Sequence, residues 1–299
     1  MPIRLLALDL DGTLLDPRGE ITEGNRSALA QARACGVRVA LVTGRRFRDA
    51  RPIALELGLD VPLIAHNGAL TKHAETLETV AALPLPLPAA RKALQVGRAA
   101  GADPLLSDDH EGMGLLVYDR LRGDNRSAQR YVAWSKRIHG NEGTEAVRQV
   151  DSLEEYLDHE PVHLAFTGGC TEMQTLADVL KRELANQVKV FLTTYPKTNF
   201  ALLDVVHPQA SKGIGVAAAA AELNVSREEV MAIGDNLNDL EMLSYAGVGV
   251  VMHNAEPSLH EIEGLYATAG NDEDGVALAI EKFILQPETV GAELHVRPF

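Results

Sequence analysis

The chain has 299 residues, of which 46% are apolar and only 4% aromatic. This length accommodates two domains, and the scarcity of aromatic residues favours helices packed on a sheet over an aromatic-rich β-sandwich. A net charge of -14 disfavours nucleic acid and anionic lipid as partners, and any phosphate ligand therefore needs a local positive site.

The cysteines and the apolar runs indicate the compartment. Cys35 and Cys170 lie far apart, so we expect free thiols in a reducing compartment, with Cys35 buried at a helix end. No apolar run reaches the roughly 18 residues that a membrane span needs, and the N-terminus lacks a signal-peptide pattern. We expect a cytoplasmic protein with no membrane or nucleic-acid partner, present as a monomer or homodimer.

Strands and helices alternate from the N-terminus in the manner of parallel βαβ units. Buried strands are predicted at 3–8, 37–42 and 62–65, and helices at 22–35 and 46–57. The pattern then changes at Leu83–Pro88, where each proline removes a backbone donor. We interpret this stretch as a linker or hinge, with a plain surface loop as the alternative.

A second α/β unit follows the prolines and is inserted into the first. Its strands are predicted near 105, 115–117, 162–166, 188–192 and 201–205, and its helices at 89–100, 126–139 and 171–185. From Ser211 the first pattern returns, with strands at 230–233, 248–252 and 266–268 and helices at 212–223, around 243–245, at 258–263 and at 275–284.

Polar residues follow four of the predicted core strands at the point where each strand ends. Asp9 and Asp11 follow the first strand, Thr43 the second, Asn67 the third and Asp235 a later one. Ligands of parallel sheets bind at the carboxyl ends of the strands. One such cluster can be a turn or a helix cap, but four in register predict a single site.

The clusters contain side chains suited to a phosphate and a metal. Asp9 and Asp11 lie two residues apart and point to the same side of an extended chain, which suits a shared cation or a nucleophile paired with an acid. Thr43–Arg45 offers a hydroxyl, a bare backbone N–H and a guanidinium at a helix start. Lys212 stands at another helix start, and Gly234–Asp239 offers hard oxygen ligands.

The charges of these residues require a cation. Asp9, Asp11, Asp235 and Asp239 together would repel a phosphate dianion, because two unit charges about 4 Å apart cost roughly 4 kcal/mol at an effective dielectric of about 20. Mg²⁺ and Lys212 offset most of this charge, and a protonated Asp11 brings the site to neutrality. We therefore expect Mg²⁺ as the cofactor and Asp11 as a proton carrier.

These residues resemble the four motifs of the haloacid dehalogenase superfamily, namely Asp9–Thr13, Thr43–Arg45, Lys212 and Gly234–Asp239. Two further segments, Asn67–Ala69 and Asn271–Val276, resemble its Cof-type phosphatase branch. The resemblance implies an α/β fold, a Rossmann-like parallel sheet core with an inserted α/β cap domain between motifs two and three. It places the core at residues 1–83 and 190–285, the cap at 84–189 and a C-terminal tail at 286–299.

The resemblance also implies a role for each site residue. Asp9 attacks phosphorus to form an aspartyl-phosphate, and Asp11 protonates the leaving oxygen and then deprotonates water. The phosphate-binding residues implied are Thr43, Gly44, Lys212 and Asn238. The Mg²⁺ ligands implied are the Asp9 carboxylate, the Asp11 backbone carbonyl and Asp235. The supporting residues implied are Arg45, Asn67 and Asp239.

The expected function is Mg²⁺-dependent hydrolysis of a small phosphorylated metabolite such as a sugar phosphate. A phosphomutase on the same core and a non-catalytic phosphate-binding regulatory protein are the alternatives. A single helix between Asp11 and Thr43 disfavours the mutase, because many mutases of the superfamily carry their cap there. A regulatory protein is expected to have lost Asp9 or Asp11. In the cap, Asp108–His110 and His163 are candidate substrate contacts, although we favour surface positions for them.

Overall fold

Two β-sheets, each with its own helices and apolar core, form the part of the chain that the computed structural model describes, residues 2–140 and 143–286. The contacts divide the chain into two compact units. The first contains the residues up to Gly44, Ala50–Thr76 and the chain from Ser211, and the second contains Arg45–Asp49 and Leu77–Ala210. The predicted α/β architecture with a parallel-sheet core is confirmed.

The strands of the described ranges are β1 (Leu5–Asp9), β2 (Arg38–Val42), β3 (Pro62–Ala65), β4 (Leu70–His73), β5 (Thr79–Ala82), β6 (Asp103–Asp108), β7 (Leu115–Tyr118), β8 (Val147–Gln149), β9 (His163–Gly168), β10 (Lys189–Tyr195), β11 (Phe200–Val206), β12 (Val230–Gly234), β13 (Val248–Val251) and β14 (Tyr266–Ala267). The α-helices are α1 (Glu23–Ala34), α2 (Phe47–Glu56), α3 (Leu87–Ala99), α4 (Arg126–His139), α5 (Leu153–Tyr156), α6 (Cys170–Leu184), α7 (Lys212–Glu222), α8 (Leu240–Tyr245), α9 (Pro257–His260) and α10 (Gly275–Ile280). Across residues 2–140 and 143–286, no helix is long and apolar enough to cross a membrane.

The sheet of the first unit has the strand order β14-β13-β12-β1-β2-β3-β4, in which β4 is antiparallel to β3 and the other pairs are parallel. The register places Leu8 opposite Ile233, and Asp9 opposite Val42. The carboxyl ends of β1, β2 and β12 therefore lie side by side, as the pattern of polar residues predicted.

The second unit has a mainly antiparallel sheet with the strand order β10-β11-β9-β6-β7-β8. Apolar residues of α3 and α6, such as Ala93 and Leu180, join one core with inward residues of the sheet such as Phe166. Val132 of α4 packs with Leu105 in a second, separate apolar cluster. Adjacent residues of β6, Leu105 and Leu106, belong to different clusters, as expected for a strand whose two faces are both covered.

The boundaries of the two units differ from the predicted ones. The predicted core resumes at residue 190, but β10 and β11 pair with β9 in the second sheet, and the first unit resumes at Ser211. The short segment Arg45–Asp49 also belongs to the second unit. The sequence pattern groups the strands at 188–192 and 201–205 with the inserted unit, as observed, so the boundary at residue 190 is wrong and the pattern is right. The predicted tail lies, apart from Gln286, outside the described residues.

The proline-rich stretch is anchored rather than exposed. Leu85 is fully buried in the apolar core of the second unit, and its N–H donates to the Pro161 carbonyl at 2.7 Å. Helix α3 begins at Leu87, so Pro88 lies in its first turn, where no donor is required of it. Cys35 also departs from the expectation, because it is exposed at the end of α1.

A buried ionic cluster lies within the second unit. Arg46 donates from Nε and Nη2 to the two carboxylate oxygens of Asp49, both at 2.8 Å. Tyr131 donates to Asp49 at 3.0 Å, Ser135 accepts from Arg46 at 2.8 Å, and the His139 ring lies 2.9 Å from Asp49. Burial acts to raise the pKa of Asp49, but Arg46 and His139 outweigh it and hold the pKa at about 2.

Replacing Asp49 should destabilise the protein strongly. Asp49→Asn leaves the Arg46 guanidinium buried without its counter-charge, so we expect the free energy of unfolding to fall by about 3–5 kcal/mol. Urea titration followed by circular dichroism measures the change. Asp151→Asn, which removes the same charge from an exposed position, should stay within about 0.5 kcal/mol of the wild type. Equal stability of the two variants would show that the charge of Asp49 in this cluster contributes nothing to the free energy of unfolding.

Candidate active site

The strand ends of the first unit bring the predicted residues together. Asp9 ends β1, Thr43 follows β2, and Asp235 follows β12. The Thr43 N–H donates to the Ile64 carbonyl at 2.8 Å, and the Asn67 N–H donates to the Thr43 carbonyl at 3.1 Å. These backbone bonds continue the sheet beyond its last residues and place the loops after β2 and β3 next to each other.

Lys212 lies fully buried between two carboxylates. Its Nζ is 2.5 Å from Asp9 Oδ1 and 2.5 Å from Asp239 Oδ1. Burial acts to lower the pKa of Lys212, but the two carboxylates outweigh it and raise the pKa, so the ammonium remains charged. Burial raises the pKa of Asp9 well above its usual range; Lys212 opposes this rise, while Asp239 and Asp235 add to it.

Asp239 is held by hydrogen bonds on both carboxylate oxygens. Oδ1 accepts from Lys212, and Oδ2 accepts from the backbone N–H groups of Asp235 at 3.0 Å and Asn236 at 2.9 Å. The side chain therefore fixes both the position of the lysine and the shape of the loop after β12. The motif predicts a supporting role for Asp239, and that role stays a prediction.

Asp235 lies against the loop that follows Asp9. The Thr13 hydroxyl donates to Asp235 Oδ1 at 3.0 Å. Gly12 has a φ of +88°, and a Cβ atom at this position would lie 2.3 Å from Asp235 Oδ2. Burial, followed by the charge of Asp239, raises the pKa of Asp235 to about 6. Thr13 entered the sequence interpretation only as part of a motif, and its contact with Asp235 depends on loop geometry that spacing does not reveal.

Asp11 differs from Asp9 in its surroundings. The Asp9 side chain is buried, whereas Asp11 is exposed in the loop after β1. Two carboxylates that are two residues apart therefore occupy different environments, which suits two different chemical roles.

Two asparagines connect the remaining loops of the site. Asn67 is buried, with a left-handed φ of 54°, and its Oδ1 accepts from Asn238 Nδ2 at 2.8 Å. A Cβ atom at Gly44 would lie 3.1 Å from Asn67 Oδ1, so the Asn67 amide packs against the Gly44 backbone. Asn67 thus contacts the phosphate-binding segment predicted at Thr43–Gly44 and also the loop that carries Asn238.

Other candidate residues lie in the second unit. Arg45, predicted as a supporting residue, belongs to that unit and is half-buried. The expectation that His163 lies on the surface is wrong: it is buried, and burial followed by the charge of Arg46 lowers its pKa to about 3. Asp108 is also buried, whereas Asp109 is exposed.

The carboxylates of the first unit fit a small hard cation. Within the described ranges, Asp9, Asp235 and Asp239 form the only group of three potential metal ligands, with one oxygen of each within 4.8 Å of the others. Three carboxylates face one ammonium, and oxygen atoms are the ligands that Mg²⁺ prefers. Because both oxygens of Asp239 already accept hydrogen bonds, the fit rests on Asp9 and Asp235.

Comparisons with known proteins agree with this fold. The stress response protein YhaX of Bacillus subtilis is 30% identical over 293 residues, which cover 97% of this chain and 96% of YhaX. The 5-amino-6-(5-phospho-D-ribitylamino)uracil phosphatase YcsE of the same organism is 30% identical, with 95% of this chain and 96% of YcsE covered. A haloacid dehalogenase-like hydrolase from Bacteroides thetaiotaomicron has a crystal structure with a TM-score of 0.76 and 27% identity, covering 93% of this chain and 98% of that one.

The fold and site define a class of α/β proteins that carry an acidic, lysine-containing site at the carboxyl edge of a parallel sheet. The model of the haloacid dehalogenase-like hydrolase family matches residues 6–280, and the chain belongs to this family. The predicted superfamily and its Cof-type branch are confirmed, and so is the predicted class of phosphoric monoester hydrolase.

A pair of glycine variants tests the contact between Gly12 and Asp235. Gly12 and Gly19 both have positive φ, so Ala at either position should cost about 1–2 kcal/mol in backbone strain. A Cβ at Gly19 meets no atom within 4 Å, whereas at Gly12 it displaces the Asp235 carboxylate. Gly12→Ala should therefore lose hydrolysis of p-nitrophenyl phosphate, and Gly19→Ala should keep it. Similar activity of both variants would show that the position of Asp235 is unimportant.

Proposed function

We propose that the protein is a Mg²⁺-dependent phosphatase of small phosphorylated metabolites that uses Asp9 as its nucleophile. The observation that carries the proposal is the buried contact of Lys212 with Asp9 and Asp239, beside Asp235. Lys212 restrains the Asp9 carboxylate and offers a positive charge to the incoming phosphoryl group. A phosphate therefore meets a fixed nucleophile and a fixed cation at the same point.

In the first step an Asp9 carboxylate oxygen forms a bond to phosphorus while the ester P–O bond breaks. Asp11 supplies the proton that the leaving oxygen needs, and its exposure is consistent with contact to different leaving groups. In the second step Asp11 takes a proton from water, whose oxygen attacks phosphorus and releases Asp9 and inorganic phosphate. Asp11 is thereby restored to its protonated state.

The phosphoryl oxygens have donors in the same unit. Lys212 contributes its ammonium, and the Thr43 hydroxyl and Gly44 N–H contribute hydrogen bonds at the end of β2. Asn238, which is hydrogen bonded to Asn67, completes the predicted set. These groups are held before substrate arrives, and such pre-positioned donors are where phosphoryl transfer gains most of its rate.

Asp9 and Asp235, with the backbone carbonyl of Asp11, would hold Mg²⁺. When bound, the ion offsets the carboxylate charges and the charge of the phosphoryl group. The relative YcsE is named for a phosphorylated ribityl compound, which supports a phosphorylated metabolite as the substrate. The cytoplasmic location expected from the sequence remains part of this proposal.

Asp9→Asn should abolish turnover. The amide keeps the shape of the side chain but lacks the attacking charge, so hydrolysis of p-nitrophenyl phosphate should fall to near background while the circular dichroism spectrum is unchanged. Asp60→Asn, at an exposed ion pair with Arg38, is the matched control and should retain full activity. Substantial activity of the Asp9 variant would exclude the covalent mechanism, and a requirement for a bisphosphate activator would indicate a phosphomutase.

Removal of Mg²⁺ should stop the reaction. In EDTA the carboxylates and the phosphate repel each other, so we expect no hydrolysis until Mg²⁺ is returned in excess. Ca²⁺ should restore little activity, because it takes more ligands at longer distances than Mg²⁺. Phosphate release measured in the three conditions checks this, and undiminished activity in EDTA would mean that Lys212 alone suffices.

A further inference from the structure

A short loop after β13 is fastened to the loop that carries Asp235. In this loop, residues 252–256, the Glu256 N–H donates to the Asp235 carbonyl at 2.8 Å. The Met252 N–H donates to the Gly234 carbonyl at 3.1 Å. The loop therefore has a fixed position relative to the backbone of Asp235.

Asn254 extends from this loop to the segment that follows the nucleophile. Its Nδ2 donates to the Gly12 carbonyl at 2.8 Å, and its Oδ1 accepts from the Asn271 N–H at 3.0 Å. Asn271 is buried and in turn donates from Nδ2 to the Leu15 carbonyl at 2.7 Å. Because a peptide unit is planar, holding the Gly12 carbonyl also fixes the orientation of the Thr13 N–H and the path of the chain into Thr13.

The two residues joined by this peptide, Gly12 and Thr13, both lie against the Asp235 carboxylate. The fully buried Thr13 donates its hydroxyl to Oδ1, and the bare Cα of Gly12 leaves the space that Oδ2 occupies. A rotation of this peptide would shift Thr13 and with it the hydroxyl that donates to Asp235 Oδ1. Asn254 is the side chain that holds this peptide through its carbonyl, and it is anchored in a loop already bonded to Asp235.

We propose that Asn254 is a positioning residue for the cation assigned to Asp9 and Asp235, an inference that rests on the proposed function. Asn254 bonds to backbone groups, not to the carboxylates themselves, and acts by holding the Gly12 peptide and, through Thr13, the Asp235 carboxylate. Removing a hydrogen-bond partner that orients a metal ligand commonly costs about 10–100-fold in metal affinity or activity. We expect a loss of Mg²⁺ affinity on this scale.

Three variants of the full chain test the proposal. Asn254→Asp keeps an acceptor for the Asn271 N–H but replaces the donor to the Gly12 carbonyl, and Asn254→Ala removes both bonds. His253→Ala is the matched control, because His253 is the exposed neighbour in the same loop and its side chain makes no hydrogen bond within the described ranges. Mg²⁺ alone is titrated into each substrate-free protein by calorimetry, and unfolding is measured in EDTA.

The expected result is Mg²⁺ binding that is about 10–100-fold weaker in both Asn254 variants and unchanged in His253→Ala. Excess Mg²⁺ should then restore hydrolysis of p-nitrophenyl phosphate by Asn254→Asp, with the wild-type KM for that ester. Wild-type Mg²⁺ affinity in Asn254→Asp, even with lower stability in EDTA, would overturn the inference, because the role would be structural only. A wild-type protein that binds no Mg²⁺ would instead overturn the proposed function, and the inference with it.

Discussion

The site depends on one buried lysine. The Lys212 ammonium lies in the interior between Asp9 and Asp239, and a buried charge is tolerated only when it is paired and hydrogen bonded. The pairing works in both directions, because the two carboxylates keep the lysine charged and the lysine offsets part of their repulsion. Three carboxylates against one ammonium leave an excess of negative charge when all are ionised, and this excess favours either a bound cation or protonation of a carboxylate at the same point.

Backbone groups help to position the charged side chains of the site. Two N–H groups of the loop after β12 hold one oxygen of Asp239, and a glycine without a side chain leaves room for Asp235. The parallel register then places the loops side by side, so that groups far apart in the chain meet over a few ångströms. The side-chain amides of Asn67 and Asn254 form hydrogen bonds that connect one loop of the site to another.

Much of the fold and of the site was predictable because the governing patterns are local. The strand at Pro62–Ala65 and the helix at Arg126–His139 were predicted to the residue, and Thr22 caps α1 by accepting the Asn25 N–H. The strands at 188–192 and 201–205 were correctly grouped with the inserted unit from the pattern, and only the boundary at residue 190 put them in the core. Contacts between distant residues are not encoded locally, which is why the Arg46–Asp49 cluster was not foreseen. Nothing in the sequence around Asn254 distinguishes it from a solvated asparagine. Its proposed role depends on its hydrogen bond to the Gly12 carbonyl, which is 242 residues away in the chain.

The assignment of Arg45–Asp49 to the second unit changes how modular the protein is. The chain passes between the units four times, at residues 44/45, 49/50, 76/77 and 210/211, so the inserted domain is not a single cassette. Exchanging residues 77–210 with the equivalent region of a relative would separate Tyr131 and His139 from Arg46 and Asp49, which lie in the recipient. A domain graft, whether made by recombination in evolution or by an engineer, would therefore have to carry this five-residue segment together with the larger insertion.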